Sequence, residues 1–555
     1  MNALDGIRIL DLSRVLAGPW CTQTLADLGA DVVKVERPPG AGHPGGDDTR
    51  GWGPPFLQGR NGQDTAEAAY YLGANRNKRS ITCDIATPEG QALIRELAAK
   101  ADVFVENYKV GDMARYGLDY AALRAINPRL VYCSITGFGQ TGPYKDRAGY
   151  DFAIQAMGGL MSVTGERDAL PGGGPQKVGV AVTDLFTGLY ATIAIQAALR
   201  HAERTGEGQH IDMALLDTQV AMLANLGANY LVRGRDEGKV PGRAGNAHAN
   251  IVPYQAFEVA PDAQGQAQYI ILAVGNDGQF AKFCAVAGRP GLATDPRFAQ
   301  NQNRVRHREV LVPLLADLLK TRGKADWLAA LEAAKVPCGP INNLAEVFAD
   351  EHVSSRDMVH TWSHPLADAV DLVASPLKLS ATPVRNDLPP PLLGQHTAEV
   401  LDDWLACPPE RLAELQRSGG GRSLRTGVVP SLSGLATRST APLSGCAQVC
   451  TICRERTCSS ANTSARLLIG PQGTLAASSA ASQSVLPRVL RRAASNGTST
   501  SRWRTRFWFC AKRGSPASSG RPATAQNLAN WPSLPTAKMM CCAWPCASGA
   551  TSNTW

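Results

Sequence analysis

The sequence lacks the short motifs that mark several large enzyme classes. It contains no Walker A loop, no H-E-x-x-H and no G-x-S-x-G. Those motifs supply a phosphate cradle, a zinc site and a serine nucleophile, so no standard P-loop NTPase, zinc protease or α/β-hydrolase is indicated. No apolar run approaches the roughly 20 residues of a membrane span, and Asp5 precedes the first arginine. We therefore expect no signal peptide and no membrane segment, and a cytoplasmic location is predicted.

Acidic residues are nearly missing from one part of the chain. The 555 residues carry a formal charge of +8. From Ser418 to Trp555, however, sixteen Lys and Arg are accompanied by a single acid, Glu455. That segment carries +15 and the first 417 residues carry −7. The apparent basicity belongs to the tail, so a nucleic-acid-binding body is not indicated.

The tail from Ser418 also lacks histidine, tyrosine and any hydrophobic periodicity. Natural disordered segments are usually rich in Glu, and folded domains carry Asp and Glu as well. This composition is typical of GC-rich DNA translated in the wrong frame. We therefore predict an unfolded tail over 418–555 that follows a frameshift near Arg417 to Gly421. An intact mass matching an ordered 555-residue product would contradict this hypothesis.

Cysteine spacing gives no metal site. The six cysteines before Ser418 are scattered singly, as expected for reduced, mostly buried thiols. The tail contains a C-x3-C-x2-C-x4-C cluster, formed by Cys446, Cys450, Cys453 and Cys458. It lacks paired C-x2-C knuckles and any histidine, so no zinc is predicted.

Residues 1–215 alternate short apolar runs with helical patterns. Strands are predicted at 6–13, 31–36, 80–85, 102–108, 130–138 and 177–182. Thr87 and Pro88 predict the start of one of the intervening helices, and a long helix follows the last strand. This β-α-β alternation predicts a Rossmann-like α/β domain with a parallel sheet covered by helices on both faces. The Gly/Pro-rich loop at 38–62 is too long for a simple connection, which indicates a functional loop.

The rest of the first 417 residues has a different pattern of apolar and polar residues. Residues 230–345 mix two strands with helices, which predicts a smaller α+β domain. Residues 350–417 combine strand, Pro-rich loop and two helices, and are predicted to return to the large domain.

Asp184 lies where the predicted strand at 177–182 meets the long helix. On pattern alone, the more frequent role for such an aspartate is to cap the helix. The same position also suits a ligand site at the carboxyl edge of a parallel sheet, where a carboxylate can act as a covalent nucleophile. The amides of Gly172, Gly173 and Gly174 could then stabilise an oxyanion.

Several long segments of the first 417 residues resemble one enzyme family. They include LDGIRILDLSRVLAGPWCTQTLADLGADVVKVERPPG, NRNKRSITCDIATPEG, ADVFVENYKVGDMARYGLDY, VGVAVTDLFTGLYA, GNAHANIVPYQAF and VPCGPINNLAEVF. They are similar to class III CoA-transferases, the formyl-CoA transferase and carnitine CoA-transferase group. The resemblance spans residues 3 to 417, in order and at ordinary spacing, and ends where the composition changes.

The resemblance implies an activity, a nucleophile and an assembly. Members of this family move CoA between carboxylic acids through an aspartyl mixed anhydride and an aspartyl-CoA thioester. Asp184 matches the position of that aspartate. The family binds no permanent cofactor and uses CoA thioesters as substrates, with carboxylic acids as partners in the exchange. It also implies an interlocked homodimer, in which each chain threads through a hole in the other.

The resemblance also implies contacts with CoA. Leu16 and Ala17 would line the pantetheine path, and Arg37 would meet the nucleotide end. Cys83, Ile85 and Ala86 would lie along the adenine, with Asn107, Tyr108 and Arg115 around the ADP phosphates. Five of these residues have a plainer alternative. It is a solvated surface charge for the two arginines and ordinary packing for Leu16, Cys83 and Ile85.

Two departures bear on the substrate. Formyl-CoA transferase has glutamine at the position of Leu16, and its glycine-rich run in the small domain has no counterpart here. We therefore favour a bulkier dicarboxylate that exchanges with succinyl-CoA over oxalate and formate. The segment containing His248 resembles the succinyl-CoA-dependent members, and that histidine is either a substrate contact or a structural loop residue.

A racemase is the nearest alternative on the same fold. The α-methylacyl-CoA racemases pair the aspartate with a histidine as second acid/base, and Tyr150 stands at that position here. A tyrosine with a pKa of about 10 is a poor proton carrier at neutral pH, which favours the transferase.

A non-enzymatic alternative is nucleic-acid binding through the tail. Arg and Trp alternate at 501–509, a pattern that can stack on single strands. Charge alone also retains proteins on DNA at low salt, so we expect no nucleic-acid partner.

Overall fold

The computed structural model describes residues 1–40 and 42–418. The tail from Gly419 onward lies outside the described residues. The predicted unfolded segment therefore falls outside them apart from Ser418, which ends the last helix. The zinc-like cysteines and the Arg/Trp segment of the tail also fall outside.

Thirteen strands are present in the described residues. They are β1 (Arg8–Asp11), β2 (Asp31–Glu36), β3 (Phe56–Gln58), β4 (Asp64–Ala68), β5 (Lys78–Thr82), β6 (Val103–Glu106), β7 (Val131–Thr136), β8 (His210–Ala214), β9 (Tyr254–Val259), β10 (Gln268–Ala273), β11 (Cys338–Pro340), β12 (Val359–His364) and β13 (Ala367–Val373).

The α-helices of the same residues flank these strands. They are α1 (Ala17–Asp27), α2 (Ala69–Leu72), α3 (Pro88–Ala98), α4 (Asp112–Arg115), α5 (Tyr120–Ile126), α6 (Asp151–Met157), α7 (Leu160–Val163), α8 (Val182–Thr205), α9 (Leu215–Ala221), α10 (Ala224–Asn229), α11 (Asp277–Val286), α12 (Gly291–Thr294), α13 (Asn301–Arg306), α14 (Arg308–Leu319), α15 (Lys324–Ala333), α16 (Leu344–Ala349), α17 (Glu351–Ser355), α18 (Thr397–Leu405) and α19 (Pro409–Ser418).

The largest sheet is a six-stranded parallel sheet in the order β5-β2-β1-β6-β7-β8. The chain adds β2 and then β5 on one side of β1, and later adds β6, β7 and β8 on the other side. The strand order therefore reverses between β1 and β6. In open α/β sheets this switch point leaves a crevice outside the carboxyl ends of the strands, where ligands bind. The predicted α/β fold with a parallel sheet is confirmed.

Both faces of this sheet are covered. Successive side chains of β1 enter different cores, since Ile9 packs in one hydrophobic cluster and Leu10 in the other. Val32 and Val33 of β2 divide in the same way. Strands buried on both faces need continuous apolar runs, which explains why these strands were visible in the sequence.

The strand predicted at 177–182 is absent. Residues 177–181 are irregular, Val180 is exposed, and α8 begins at Val182. The sheet position beside β7 is taken instead by β8, which pairs from Tyr132↔His210 to Thr136↔Ala214. Apolar residues alternate around Val178 and Val180, but among the described residues this segment has no free strand beside it with which to pair.

Helix α8 packs closely on α1. A Cβ added to Gly188 would lie 2.7 Å from the carbonyl oxygen of Ala17, so only glycine permits this approach. The contact brings the first turn of α8 beside the loop that follows β1. Within the described residues, α8 is also the one helix long and apolar enough to cross a membrane, a weak indication because buried core helices share those properties.

The later part of the chain forms separate small sheets. Strands β11, β10 and β9 make an antiparallel sheet whose core includes Phe283, Leu315 and Trp327. The β12–β13 hairpin packs Trp362 against Tyr71. Helix α18 contributes Val400, Leu401 and Trp404 to the core beneath the large sheet. The domain limits given above stay predictions.

Candidate active site

A cavity of about 520 Å³ lies at the switch point of the large sheet. It is built by the segments that follow three neighbouring parallel strands, because their carboxyl ends meet at one edge. Residues 14–17 follow β1, 107–110 follow β6, and 135–137 end β7. The remaining walls come from 145–151, Asp48, Trp52, Asp184 and Leu215.

Asp184 occupies the first turn of α8 and lines this cavity. Within the part of the chain that the structure describes, no hydrogen bond or ion pair engages its carboxylate. Burial, and then the charge of Asp151, raise the pKa of Asp184 to about 7. An unpaired carboxylate of this kind, at the positive end of a helix, can attack an acyl group once it has lost its proton.

Asp184 does not cap its helix. The N-cap is Ala181, which has no side-chain oxygen. The capping oxygen comes from Asp151, whose Oδ1 accepts from the backbone N–H groups of Thr183 at 2.8 Å and Asp184 at 3.3 Å. The capping role that pattern alone favours for Asp184 is therefore wrong, and its carboxylate is free for chemistry.

Asp151 was missed by sequence reasoning. Its other oxygen, Oδ2, accepts from the side chain of Gln155 at 2.6 Å, which fixes the carboxylate between α6 and α8. Its position directly after Tyr150, in the segment that resembles the racemases, was the one feature of the sequence that could have indicated a role for Asp151. The sequence could not show that α6 begins against the N-terminus of α8.

Two aromatic rings stand near Asp184. Trp52 lines the cavity, and its ring centroid lies 5.3 Å from that of Tyr70 in an edge-to-face contact. Burial, followed by the charges of Asp184, Asp151 and Asp47, raises the pKa of Tyr70 to about 12. The phenol therefore stays protonated and can donate a hydrogen bond near the carboxylate. Trp52 lies in the 38–62 loop that was expected to be functional.

Four of the nine predicted CoA contacts line the cavity together with Asp184. They are Leu16, Ala17, Asn107 and Tyr108. Arg37 lines a smaller adjoining pocket of about 30 Å³, which shares Arg14, Asp48 and Tyr108 with the main cavity. Its Nε is buried without a hydrogen-bond partner in the described residues. An unpaired guanidinium beside the cavity suits an anionic ligand.

The other four predicted contacts lie outside the cavity wall. Cys83 and Ile85 are fully buried in the core under the sheet. Ala86 is exposed and its N–H donates to Asp84 Oδ1 at 3.0 Å. Arg115 is exposed and pairs with Asp112 at 3.3 Å.

Sequence reasoning also missed a basic rim on the cavity. Lys109, Lys145 and Arg147 line it, as does Arg14, which pairs with Asp48 at 2.9 Å. In the described residues no carboxylate lies within ion-pair distance of Lys109, Lys145 or Arg147. Such cations attract phosphates and carboxylates.

Other predicted site residues are not brought to Asp184. The cavity wall contains none of Gly172, Gly173 and Gly174, and Gly173 instead bridges to Glu166. His248 lies outside the wall, where its Nδ1 accepts from the N–H of Asn250 at 3.0 Å. Tyr150 is exposed on the cavity wall. Among the described residues no group of three or more His, Cys, Asp or Glu could hold a metal ion.

Comparisons with known proteins identify the class. Residues 4–397 match the model of CoA-transferase family III, so the chain belongs to that family and is a CoA-transferase. It is 52% identical over 398 residues to the succinate–glutarate CoA-transferase of Agrobacterium fabrum, covering 72% of this chain and 94% of that protein. It is 44% identical over 419 residues to the human succinyl-CoA:glutarate CoA-transferase, covering 76% and 90%.

A solved structure agrees with this family. A CAIB/BAIF family protein from Brucella suis matches with a TM-score of 0.61 and 50% identity, over 73% of this chain and all of that one. More distant relatives include the succinyl-CoA–D-citramalate CoA-transferase of Chloroflexus aurantiacus, 34% identical over 74% of this chain and 96% of that protein.

Proposed function

We propose that this protein transfers CoA from succinyl-CoA to a dicarboxylic acid of glutarate size, with Asp184 as the covalent nucleophile. The observation that carries the proposal is the unpaired carboxylate of Asp184 in the wall of the switch-point cavity. The relatives named above support the choice of donor and acceptor, because each is named for succinate or succinyl-CoA and three-quarters of this chain aligns with them.

The reaction proceeds in four acyl exchanges. The Asp184 carboxylate attacks the thioester carbonyl of succinyl-CoA, the C–S bond breaks, and CoA thiolate leaves a succinyl-aspartyl anhydride. The thiolate then attacks the aspartyl carbonyl, which releases succinate and forms an aspartyl-CoA thioester. The acceptor carboxylate attacks the carbonyl of that thioester, the C–S bond breaks, and CoA thiolate leaves a second anhydride between the acceptor and Asp184. The thiolate finally attacks the acceptor's carbonyl, which restores Asp184 and yields the new acyl-CoA.

The surroundings of Asp184 support each exchange. Every step replaces one activated acyl bond by another, so no ATP is consumed. The N-terminal end of α8 offers a partial positive charge to the oxyanions that form on the aspartyl carbonyl. Tyr70 remains a hydrogen-bond donor because its pKa is raised. Asp184 is half-buried, so the bound substrate completes the exclusion of water that would hydrolyse the anhydrides.

The basic rim and Arg37 suit the two charged ends of the substrates. Lys109, Lys145 and Arg147 are free to bind the phosphates of CoA or the second carboxylate of a dicarboxylic acid. Leu16, Ala17, Asn107 and Tyr108 are assigned to the pantetheine and diphosphate. Cys83 and Ile85 would support the CoA site only by packing in the core beneath the sheet. Ala86 and Arg115 are exposed and are therefore accessible to the nucleotide end of CoA.

The test of function uses the full-length chain with succinyl-CoA and a panel of carboxylic acids, and detects acyl-CoA products by mass. Glutaryl-CoA should form from glutarate, with little product from oxalate or formate. Asp184→Ala should abolish transfer. The matched control is Asp217→Ala, because Asp217 holds the same third position in α9 but is exposed and lies outside the cavity. Full transfer by Asp184→Ala would refute the nucleophile.

The racemase alternative is not favoured. The relatives are named as CoA-transferases, and the position of the racemase histidine holds Tyr150. Deuterium exchange at Cα of an acyl-CoA without CoA transfer would reverse this conclusion.

We also propose a homodimer in the cytoplasm. Phe186, Leu189, Tyr190 and Ile193 form an exposed apolar stripe along α8, directly after Asp184. Their spacing places them on one helical face, and a soluble protein normally covers such a patch with a partner. A second copy of this chain, interlocked with the first, is the partner that the family resemblance implies.

A further inference from the structure

Val15 has a backbone conformation that its side chain disfavours. Its φ is +72°, in the left-handed region, which is an outlier for a β-branched residue. It lies in the segment after β1 that we call the loop at 13–17, which ends at Ala17, the first residue of α1. Residues 14–17 of this segment line the cavity beside Asp184. Strained backbone persists only where the surroundings impose it, and it concentrates at functional sites.

Three side chains hold the backbone at Val15 and at the two residues before it. The N–H of Val15 donates to both carboxylate oxygens of Asp47, at 3.1 and 3.2 Å. The backbone of Arg14 is held on both sides by Asn107, since its N–H donates to Oδ1 at 3.0 Å and its carbonyl accepts from Nδ2 at 2.7 Å. The carbonyl of Ser13 accepts from the Lys34 ammonium at 2.9 Å.

These contacts belong to a network of fully buried charges. Lys34 and Asp47 are 2.9 Å apart and have no exposed surface. Asp11 pairs with Lys78 at 3.2 Å, equally buried, and its Oδ1 accepts from the N–H of Ser13 at 2.9 Å. Burial alone would lower the pKa of Lys34, but the carboxylates of Asp47, Asp11 and Glu36 raise it, so the ammonium stays charged.

Stability does not account for this network. Buried ion pairs can often be replaced by apolar side chains of similar volume at no cost, because desolvation offsets the attraction. Here the polar atoms instead point at successive backbone groups of one cavity loop. The loop runs directly into α1, the helix that packs on α8.

We propose that Asp47, Lys34 and Asp11 are positioning residues for CoA binding, which hold the loop at 13–17 in the strained shape that the CoA thioester needs. They act on the bound CoA through the backbone of Ser13, Arg14 and Val15. The inference rests on the proposed function only in assigning CoA to this cavity, and it is independent of which acids are exchanged.

Substitution at Val15 distinguishes a role in positioning the loop from a role in the stability of the fold. Asp47→Asn removes the charge that Lys34 and the Val15 N–H share, so the loop should leave the strained conformation in most molecules. If about one molecule in ten retains it, affinity for CoA falls about tenfold. Val15→Gly alone is the reference for this comparison, because glycine adopts positive φ without strain. The double variant Asp47→Asn/Val15→Gly should bind CoA nearly as tightly as Val15→Gly alone.

The measurement is calorimetric titration of the full-length protein with CoA, together with KM and kcat for succinyl-CoA. The control is Asp27→Asn, a buried carboxylate that pairs with Arg76 at 2.5 Å and does not contact the loop. It should lower the melting temperature but leave CoA affinity unchanged. Positioning predicts that Asp47→Asn raises KM more than it lowers kcat, and that Val15→Gly rescues it.

Two results would overturn the inference. One is an Asp47→Asn variant that loses melting temperature as Asp27→Asn does but binds CoA normally. The other is a double variant that binds CoA as weakly as Asp47→Asn alone. If Asp47→Asn does not fold, Lys34→Met in the presence and absence of Val15→Gly gives the same comparison. Failure of the proposed substrates would appear differently, as an unmodified protein that binds CoA but transfers it to none of the acids.

Discussion

At the scale of single residues, the reactivity of the site depends on the environment of one carboxylate. Asp184 has a pKa raised to about 7, with burial as the larger cause and Asp151 as the second. A nucleophilic carboxylate must be ionised, whereas the acceptor acids, with pKa values of roughly 4 to 5 like that of Glu, are ionised already. The protonation of Asp184 should therefore control the rate.

The pH dependence of kcat/KM tests this. We expect kcat/KM to fall as the pH drops through about 7, because protonation removes the nucleophile. In Asp151→Asn the loss of a negative charge should move the midpoint to lower pH, by no more than about one unit since burial remains. Asp217→Asn should leave the midpoint in place. A midpoint near 4 in the unmodified protein would contradict the account.

The residues of the site were predictable to different degrees. Asp184, Leu16, Ala17, Asn107 and Tyr108 sit in long segments that resemble the family. Asp151 could not be assigned, because its contact with α8 joins positions that are more than thirty residues apart and form only when the helices pack.

At the scale of elements, the contact between α1 and α8 positions Asp184. Gly188 lies one turn after Asp184 and has no room for a Cβ against the carbonyl of Ala17. A larger side chain there must push the N-terminal half of α8 away from the loop at 14–17.

Substitution of Gly188 should therefore damage catalysis more than folding. In Gly188→Val the rate should fall about a hundredfold, the effect typical of a displacement of about 1 Å at a reacting group. Helical content by circular dichroism should be kept. The control is Gly291→Val in α12, where an added Cβ would meet no atom within 4 Å. Equal activity of Gly188→Val and the unmodified protein would show that this contact does not position Asp184.

The strands differ in how readily they could be predicted from the sequence. β1, β2, β6 and β7 carry apolar runs because both of their faces are buried. β8 is an edge strand with alternating polar residues, including His210 and Asp212, and no strand was predicted there. The segment at 177–182 has a strand-like alternation but lacks a neighbour, so local pattern alone misassigned it.

At the scale of the whole molecule, the exposed stripe on α8 is the surface that the proposed homodimer would bury. Ile193 is 62% exposed in the isolated chain and lies three turns after the first residue of α8. An apolar face so close to Asp184 means that assembly and activity should be coupled.

A charge in that stripe tests the proposed homodimer. Ile193→Lys should yield monomers or insoluble protein in light-scattering measurements, because the lysine would be buried unpaired in the interface. Arg200→Lys, on an exposed site of the same helix, should not change the mass. A monomeric mass for the unmodified protein at micromolar concentration would exclude the dimer.

The sequence identified the α/β class and the extent of the family resemblance, since both rest on long local segments. The order of strands and the cavity at the reversal between β1 and β6 depend on pairing between distant segments. The buried ion pairs Lys34–Asp47 and Lys78–Asp11 could not be predicted either, because they also join distant segments. In addition, a lysine in a strand normally predicts an exposed face.

The most direct test of the central claim is to trap the acyl group on the enzyme. The full-length protein would be incubated with succinyl-CoA and then with hydroxylamine, which converts an activated aspartyl carbonyl to a hydroxamate, and digested for mass spectrometry. The account predicts a hydroxamate on Asp184 that disappears when succinyl-CoA is omitted. An unmodified Asp184 in protein that is turning over succinyl-CoA and glutarate would contradict it.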